Sequence, residues 1–359
     1  MNRKRLWGTA LGALAAGSLL AACSSSSSSS TASTAGSTAA TAVNLQLNWT
    51  TDATWAGSYE AEAQGYYKAA GLNVDIETGG PNVDYMAQLS AGHALIAFAG
   101  FNDPATLNAK GGDFRVIATM YQRSPIGIIS KKGSGITDPK SLEGKTLGLA
   151  SSSLLNWQQF AKINGVDTSK VKIVNIEDGP SALGSGQVDA YMGYVTEAPS
   201  LLEAKGIASQ SFLLQSFGFG YFVDVYAVRE SDLQNAAKRA LIEKLLKADL
   251  QGQLYAVEHP TAAGDLTVKL YGKSLGLTTA TQVSNATEAV PFYCSATTEA
   301  KGIGYMGGDE LKVAVNTVNL ISGVKVPASG AGLVDMSVLN DIDKQDPSFG
   351  KIPAGICSS

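Results

Sequence analysis

Alternating strand-like and helix-like segments constrain the fold of this chain more than any other feature of its sequence. In the first series, the strands are predicted over 43–48, 72–77, 95–99 and 115–121, and the helices over 56–70, 84–91 and 104–110. The series then restarts with strands over 126–130, 171–175, 188–194 and 222–228, followed by helices that include 231–258. Strands that alternate with helices predict mostly parallel sheets flanked by helices, which is the α/β class.

Two α/β series in one chain predict two lobes, with the chain returning to the first lobe near its end. Lobe 1 is assigned to 43–122 and 224–359, and lobe 2 to 123–223. The crossings are expected near 122–123 and 220–225, where Gly218 and Gly220 could absorb backbone rotation. An alternative is that these two glycines only end a strand.

The N-terminus has the composition of an export signal. Three basic residues at 3–5 precede an apolar stretch over 6–20, which is shorter than the roughly 20 residues of a membrane span. The following "LAAC" resembles the lipobox of bacterial lipoproteins, in which the cysteine is lipidated. We therefore predict a signal peptide over 1–22, lipidation of Cys23, and a Ser/Thr/Ala tether over 23–42. The alternative for Cys23 is an ordinary buried cysteine near a cleavage site.

Charge and cysteine content narrow the classes of function. The 359 residues carry 27 Lys+Arg and 31 Asp+Glu, for a net charge of −4. Removal of the signal takes away three basic residues and leaves 24 against 31, a net charge of −7. This balance gives no support for nucleic-acid binding, which requires a basic surface. In an oxidising compartment Cys294 and Cys357 could form a disulfide, or they could be two separate buried thiols.

Four stretches of the sequence carry a resemblance to a known family. They are "LQLNWTTDATWAGSYEAEAQGYYKAAGLNVDIETGG", "QLSAGHALIAFAG", "DPKSLEGKTLGLASSS" and "LGSGQVDAYMGYVTEAP". These stretches resemble the NMT1/THI5-like group of solute-binding proteins, which includes sulfonate, nitrate and taurine binders. In the second stretch, residues 93–95 replace the acidic residue that is usual in the family. The resemblance is good over 44–228 and weak in the C-terminal third.

This resemblance implies a type II periplasmic-binding-protein fold and a role in an ABC importer. Such a protein would be a monomer outside the cytoplasm that closes two lobes around a solute and passes it to permease subunits. With the Cys23 lipid, it would be anchored to the cell membrane. No cofactor or metal is expected.

Ligand-binding residues are predicted where loops follow the carboxyl ends of strands, since ligand sites in α/β sheets form there. The side chains predicted to bind ligand in lobe 1 are Asn48, Trp49, Asp52, Trp55, Tyr59, Asn102 and Asp103. Aromatic rings in a polar loop favour stacking on a flat ligand, or alternatively packing on the lobe's rim. Asn102 and Asp103 could alternatively cap the following helix.

In lobe 2 and at the return crossing, the predicted ligand-binding residues are Ser151, Ser152, Ser153, Tyr191, Tyr194, Glu197, Phe219 and Tyr221. The three serines open a helix, where hydroxyls and backbone N–H groups could bind an anion or a carbonyl, or simply cap the helix. Glu197 could pair with an amino group or remain a solvated carboxylate. Phe219 and Tyr221 could instead pack at the hinge.

Aromatic rings and carboxylates without Arg or Lys in these motifs favour a planar nitrogen heterocycle over an anion, which needs positive charge or many N–H donors. We expect a thiamine pyrimidine precursor. Riboflavin, or a sulfonate, taurine or nitrate, are the alternatives within the binding class.

Two other classes of protein remain as alternatives. A pyrimidine-synthase-like enzyme shares the predicted fold, but His93 and His259 are far apart and no nucleophile, phosphate-binding or metal motif is present. A surface adhesin would explain a lipid anchor but not two α/β lobes. We therefore expect a protein without catalytic residues.

Overall fold

The computed structural model describes residues 40–176 and 179–358. The predicted signal peptide, the Cys23 lipidation site and the tether up to residue 39 lie outside the described residues. Within those ranges, no helix has the length and apolar character needed to cross a membrane.

The described residues form two five-stranded sheets flanked by helices. The first sheet has the order β2-β1-β3-β10-β4 and the second has the order β7-β6-β8-β5-β9. The strands are β1 Thr41–Gln46, β2 Leu72–Glu77, β3 Ile96–Ala99, β4 Phe114–Thr119, β5 Ile126–Lys131, β6 Thr146–Leu149, β7 Lys172–Asn175, β8 Ala190–Tyr194, β9 Ser209–Leu213 and β10 Val225–Arg229. The chain passes between the sheets in the links 120–125 and 214–224.

One strand in each sheet runs opposite to the other four. Strand β1 pairs in parallel with β2 and β3, whereas β10 is antiparallel to both β3 and β4. In the second sheet β6 is parallel to β7 and β8, and β5 is antiparallel to β8 and β9. The two reversed strands are the first strands after each crossing. Their starting residues therefore lie at the same sheet edge as the carboxyl ends of the parallel strands.

Fifteen α-helices surround the sheets in the described part of the chain. They are α1 Ala56–Ala63, α2 Tyr66–Ala69, α3 Tyr85–Ala91, α4 Asn102–Asn108, α5 Leu154–Ile163, α6 Ser181–Ser185, α7 Ala198–Glu203, α8 Glu230–Gln234, α9 Ala236–Glu258, α10 Pro260–Thr267, α11 Lys273–Leu275, α12 Thr279–Ala289, α13 Ala296–Lys301, α14 Gly308–Ser322 and α15 Ser337–Gln345.

Several predicted element boundaries are wrong for identifiable local reasons. Strand β1 starts at Thr41, which pairs with Leu72, so the last two residues assigned to the tether belong to the sheet. The helix predicted over 56–70 is interrupted at Gly65, whose φ is 75°. The helix predicted over 231–258 is interrupted at Asn235, which is extended and accepts a hydrogen bond from the Lys238 amide as the cap of α9.

The core of the first lobe is built on aromatic contacts and on one close helix crossing. The Trp55 ring lies 5.0 Å from Phe98, which lies 4.5 Å from Tyr226. Helix α1 packs directly on α9 at Gly57 and Gly252, where a Cβ on residue 252 would lie 2.1 Å from the Gly57 carbonyl oxygen. Only glycine allows the two helices to approach so closely.

A disulfide joins Cys294 to Cys357, with the Cα atoms 5.4 Å apart. It ties the end of the described chain to the turn Val290–Tyr293, which packs on the link between β4 and β5. Phe292 supplies the carbonyl that accepts hydrogen bonds from the backbone amides of Gln122 and Arg123. The bridge therefore stabilises a segment that holds one of the two crossings.

Candidate ligand-binding cleft

A cavity of about 850 Å³ lies between the two sheets, lined by residues from both lobes. Its walls are formed by the loops after β1, β2, β3, β6 and β8, together with the starts of β5 and β10. In both sheets, the edge that carries the carboxyl ends of the parallel strands faces this cavity. Ligand sites in α/β sheets form at that edge. A volume in this range accommodates a drug-sized organic molecule.

The loop after β1 brings a polar and an aromatic surface to the cavity. Trp49 is partly buried and lines the cavity, so its ring is available to a ligand. The Asp52 carboxylate accepts a hydrogen bond from the Thr54 amide at 2.9 Å, which caps the turn Ala53–Trp55. Trp55 also lines the cavity, but it is 1 % exposed and its Nε1 donates to the Thr50 carbonyl. Trp55 is therefore mainly a core residue.

The loop after β3 positions a carboxylate through three donors. One Asp103 oxygen accepts from the Tyr85 hydroxyl at 2.8 Å and from the Gly100 amide at 2.9 Å, and the other accepts from Asn102 Nδ2 at 3.0 Å. These bonds fix the side chain at the start of α4. Tyr85 extends the aromatic lining from α3, and the sequence analysis did not identify it.

Lobe 2 contributes residues from two loops. Ser151, Ser152 and Ser153 line the cavity from the turn that leads into α5, together with Asn156 from the first turn of that helix. Tyr191 and Tyr194 line it from β8, and Glu197 lines it immediately before α7. The two predicted loops of lobe 2 therefore face the predicted loops of lobe 1 across one cavity.

Asp224 lies at the base of the cavity immediately before β10. It is 2 % exposed, and one oxygen accepts from Asn48 Nδ2 while the other accepts from the Tyr194 hydroxyl, both at 2.9 Å. Among the described non-glycine residues, Asp224 alone has a positive φ, of 53°. Sequence reasoning missed it because residues were sought after strands, whereas β10 is reversed and presents its start to the cavity.

Two predicted ligand-binding residues do not line the cavity. Tyr59 is 2 % exposed on α1, and its ring packs 4.9 Å from Tyr271. Phe219 is fully buried, with its ring 5.9 Å from both Phe160 and Tyr221. The Phe219 ring points into the apolar interior, whereas Tyr221 lines the cavity and its hydroxyl accepts from Asn156 Nδ2 at 2.7 Å. The other predicted residues all line the cavity.

The cavity is lined by several acidic side chains, and burial raises the pKa of four of them. Burial raises the pKa of Asp52 and of Asp224 to about 6, although hydrogen bonds from neighbouring donors oppose the shift. Burial and then the charge of Asp52 raise the pKa of Glu197 to about 8. Burial also raises the pKa of Asp103. Lys110, which is exposed, is the one Lys or Arg among the lining residues.

The described residues offer no group suited to metal binding or histidine catalysis in this cavity. They contain no cluster of three or more His, Cys, Asp or Glu residues able to hold a metal ion. His93 and His259 are exposed and do not line the cavity, and the Cys294–Cys357 sulfurs are bonded to each other. The lining groups can stack on the rings of a ligand and can hydrogen-bond to it through carboxylates, hydroxyls and amides.

Two α/β lobes linked by two crossings, with a ligand-sized cleft between their sheet edges, define the two-lobed fold class of periplasmic binding proteins. Residues 52–263, more than half of the chain, match the sequence profile of the family described as NMT1/THI5 like. The chain therefore belongs to the NMT1/THI5-like family.

Known proteins of two kinds are similar to the chain. The riboflavin-binding protein RibY of Chloroflexus aurantiacus is 25 % identical over 272 residues, which cover 74 % of this chain and 77 % of RibY. A 4-amino-5-hydroxymethyl-2-methylpyrimidine phosphate synthase of Legionella pneumophila is 24 % identical over 230 residues, covering 62 % and 72 % of the two chains. The ligand-binding component of an ABC-type import system from Staphylococcus aureus has the same fold, with a TM-score of 0.60 at 11 % identity over 84 % and 98 % of the two chains.

Proposed function

We propose that this protein is the solute-binding component of an ABC importer and that it captures a planar nitrogen heterocycle between its lobes. The observation that carries this proposal is the combination of aromatic rings and five acidic side chains in one interlobe cavity. Flat rings stack on Trp49 and the tyrosines, and ring N–H or amino groups donate to the carboxylates. The ligand-binding residues are the lining residues named above, with Tyr85 and Asp224 added.

The size of the cavity favours the larger of two ligand types. Pockets of roughly 300–1,000 Å³ enclose drug-sized molecules, and a single pyrimidine would leave much of 850 Å³ to water. A flavin-sized ligand, with a fused ring system and a hydroxylated chain, uses more of the lining, including Ser151–Ser153 and Asn156. The similarity to a riboflavin-binding protein over 74 % of the chain supports this choice. A thiamine pyrimidine precursor is the second candidate, supported by the similarity to a pyrimidine phosphate synthase.

Sulfonate, taurine and nitrate fit the cavity less well. Recognition of these anions favours bidentate Arg contacts or several N–H donors. The lining residues include Asp52, Asp84, Asp103, Glu197 and Asp224 but only Lys110 as a cation. With a pKa of about 6, Asp52 and Asp224 are mostly ionised at neutral pH, so an anion beside them is electrostatically unfavourable.

The decisive experiment is thermal unfolding of the purified protein with riboflavin, an aminopyrimidine, taurine and nitrate in turn. A ligand at a hundredfold excess over its Kd stabilises the folded state by about 2.7 kcal/mol. We expect riboflavin to raise the melting temperature most and to be recovered unchanged after incubation. Stabilisation by taurine or nitrate alone would refute the proposal that the ligand is a planar nitrogen heterocycle. Conversion of a stabilising heterocycle to a product would instead favour the enzyme suggested by the synthase relative.

The location follows from the export signal. We propose that the chain is an extracytoplasmic lipoprotein, held at the cell membrane through Cys23 and delivering its solute to permease subunits. Cys23→Ser is expected to move the protein from the membrane pellet to the soluble extracytoplasmic fraction. The unmodified chain provides the control, and a variant that still sediments with membranes would contradict lipid anchoring.

A further inference from the structure

The hydrogen bond between Asp224 and Tyr194 connects the two lobes. Asp224 belongs to lobe 1, because its carbonyl accepts from the Met120 amide and because β10 pairs with β3 and β4. Tyr194 is the last residue of β8 in the second sheet. Any motion that separates the sheet edges must therefore lengthen or break the 2.9 Å bond between the Tyr194 hydroxyl and the Asp224 carboxylate.

Two features hold the Asp224 carboxylate in position for this bond. Asn48 Nδ2 donates to the opposite oxygen at 2.9 Å, which fixes the orientation of the carboxylate. The backbone of Asp224 is left-handed, with φ at 53°, so its side chain points in a different direction from that of a residue in a regular strand. Asp tolerates this conformation better than most residues, but it still carries a conformational cost. A strained, buried and fully oriented acceptor indicates a specific role.

The other polar contact from lobe 2 toward the return link is not equivalent. Asn156 Nδ2 donates to the Tyr221 hydroxyl at 2.7 Å, but Tyr221 lies four residues before β10, and its ring packs on Phe219, which packs on Phe160 of lobe 2. This part of the link is therefore in contact with lobe 2. The Asp224–Tyr194 bond, by contrast, joins the residue immediately before β10 to the last residue of β8.

We propose that Asp224 and Tyr194 form an interlobe latch, which sets how far the cleft is closed when no ligand is bound. Opening of the cleft requires Tyr194 to leave Asp224. Asn48 acts as a positioning residue that holds the acceptor ready for the return of the hydroxyl. The latch concerns the conformation of the protein alone and does not depend on which solute binds.

The test is an interlobe distance measured by double electron–electron resonance without ligand. Spin labels are attached at Lys68→Cys on α2 and Lys172→Cys on β7, both exposed positions on opposite lobes. The full chain carries Cys23→Ser, so that the introduced cysteines are the only free thiols, given the Cys294–Cys357 bridge. We compare this protein with two variants. Tyr194→Phe removes only the donor hydroxyl. Asp224→Gly removes the acceptor carboxylate, and glycine adopts the positive φ of this position without strain.

Both variants are expected to shift the distance distribution to longer values or to add a second, longer population. The control is Tyr305→Phe, which removes a 3.3 Å hydrogen bond to Asn340 inside lobe 1 and should leave the distribution unchanged. Melting curves establish that each variant is folded, and if Asp224→Gly is not, Tyr194→Phe decides alone. A folded latch variant with the distribution of the control overturns the proposal. Because no solute is present, this result is independent of the ligand assignment.

Discussion

At the scale of single residues, the two tryptophans of the loop after β1 have different roles, although their sequence contexts are similar. Trp49 is partly buried and lines the cavity, whereas Trp55 is 1 % exposed with its ring against Phe98. Both positions satisfy the pattern of an aromatic residue in a polar loop. Only the three-dimensional path of the loop determines which ring faces the cavity.

Trp49→Ala is therefore expected to weaken binding of the proposed heterocycle by about 5- to 30-fold, equivalent to about 1–2 kcal/mol of lost stacking. The melting temperature of the ligand-free protein should change little. Titration followed by tryptophan fluorescence or calorimetry measures the effect. Trp55→Ala is the matched comparison, and it should cost about 3–5 kcal/mol of folding stability because it removes a buried ring. Equal affinity of Trp49→Ala and the unmodified protein would contradict a stacking role.

The raised pKa values in the cleft predict how stability depends on pH. The folded-state pKa of Glu197 is about 8 and those of Asp52 and Asp224 are about 6, above their ordinary values of 4.5 and 3.8. Between about pH 4 and 8 the folded state therefore binds more protons than the unfolded state, and stability falls as pH rises. Each such group contributes a slope of up to about 1.4 kcal/mol per pH unit near its transition.

Melting temperatures of the ligand-free protein at pH 5.5 to 8.5 should decline, and Glu197→Gln should flatten the decline above pH 6. Glu203→Gln, an exposed change on the same helix, serves as the control. If Glu197→Gln and Glu203→Gln give the same pH profile, Glu197 does not carry a proton in the folded protein at neutral pH.

Most of the residues predicted to bind ligand line the cavity, and the absence of Asp224 and Tyr85 from the prediction has a common cause. Residues after parallel strands, such as Asn48, Asp103 and Ser152, line the cavity where the rule places them. Asp224 precedes a reversed strand, and Tyr85 reaches the cavity from α3 through its hydroxyl bond to Asp103. Strand direction and helix orientation are tertiary properties, so local patterns do not reveal them.

At the scale of elements, the sequence predicts where strands and helices occur better than where they end. The interruptions at Gly65 and Asn235 lie inside continuous helical patterns, and each reflects a local backbone conformation. Strand β9 and helix α15 were not predicted. Strand β9 pairs only with β5 at the sheet edge and is only partly buried, which weakens its hydrophobic signal.

The crossing of α1 and α9 predicts a strong effect of a small substitution. Gly252→Ala would place a Cβ 2.1 Å from the Gly57 carbonyl oxygen and must push the helices apart. We expect a loss of about 1–3 kcal/mol in the free energy of unfolding, measured by urea denaturation. Gly307→Ala is the control, since its Cβ would meet its nearest atoms at 3.6 Å. Wild-type stability of Gly252→Ala would show that the helices do not approach as closely as described.

The disulfide offers a test that separates stability from binding. Replacing both Cys294 and Cys357 by Ala should reduce the free energy of unfolding by about 2–4 kcal/mol, because the bridge closes a loop of 63 residues. Neither cysteine lines the cavity, so ligand affinity at temperatures where the variant is folded should remain within about twofold. Loss of affinity in a folded variant would mean that the Val290–Tyr293 turn controls the cleft through the β4–β5 link.

At the scale of the whole molecule, different parts of the fold form the cleft and determine which solute binds in it. The two sheets and their crossings form a scaffold that can serve many solutes. The loops at the facing sheet edges supply the side chains that contact a particular solute. This division explains why the chain shares its fold with proteins at 11 % identity. It also explains why the fold class could be predicted from the sequence, whereas local sequence patterns do not identify the solute.

The position of β10 between β3 and β4 also bears on the order in which the two lobes can form during synthesis. Strand β4 has no partner in the first sheet other than β10, which lies more than a hundred residues later in the chain. All five strands of the second sheet are contiguous, so that sheet can be completed while β4 still has an open edge. A chain that emerges from the ribosome N-terminus first would thus finish its inserted lobe before its first one. Until residue 229 has emerged, the exposed edge would be a site for aggregation or for protection by a chaperone.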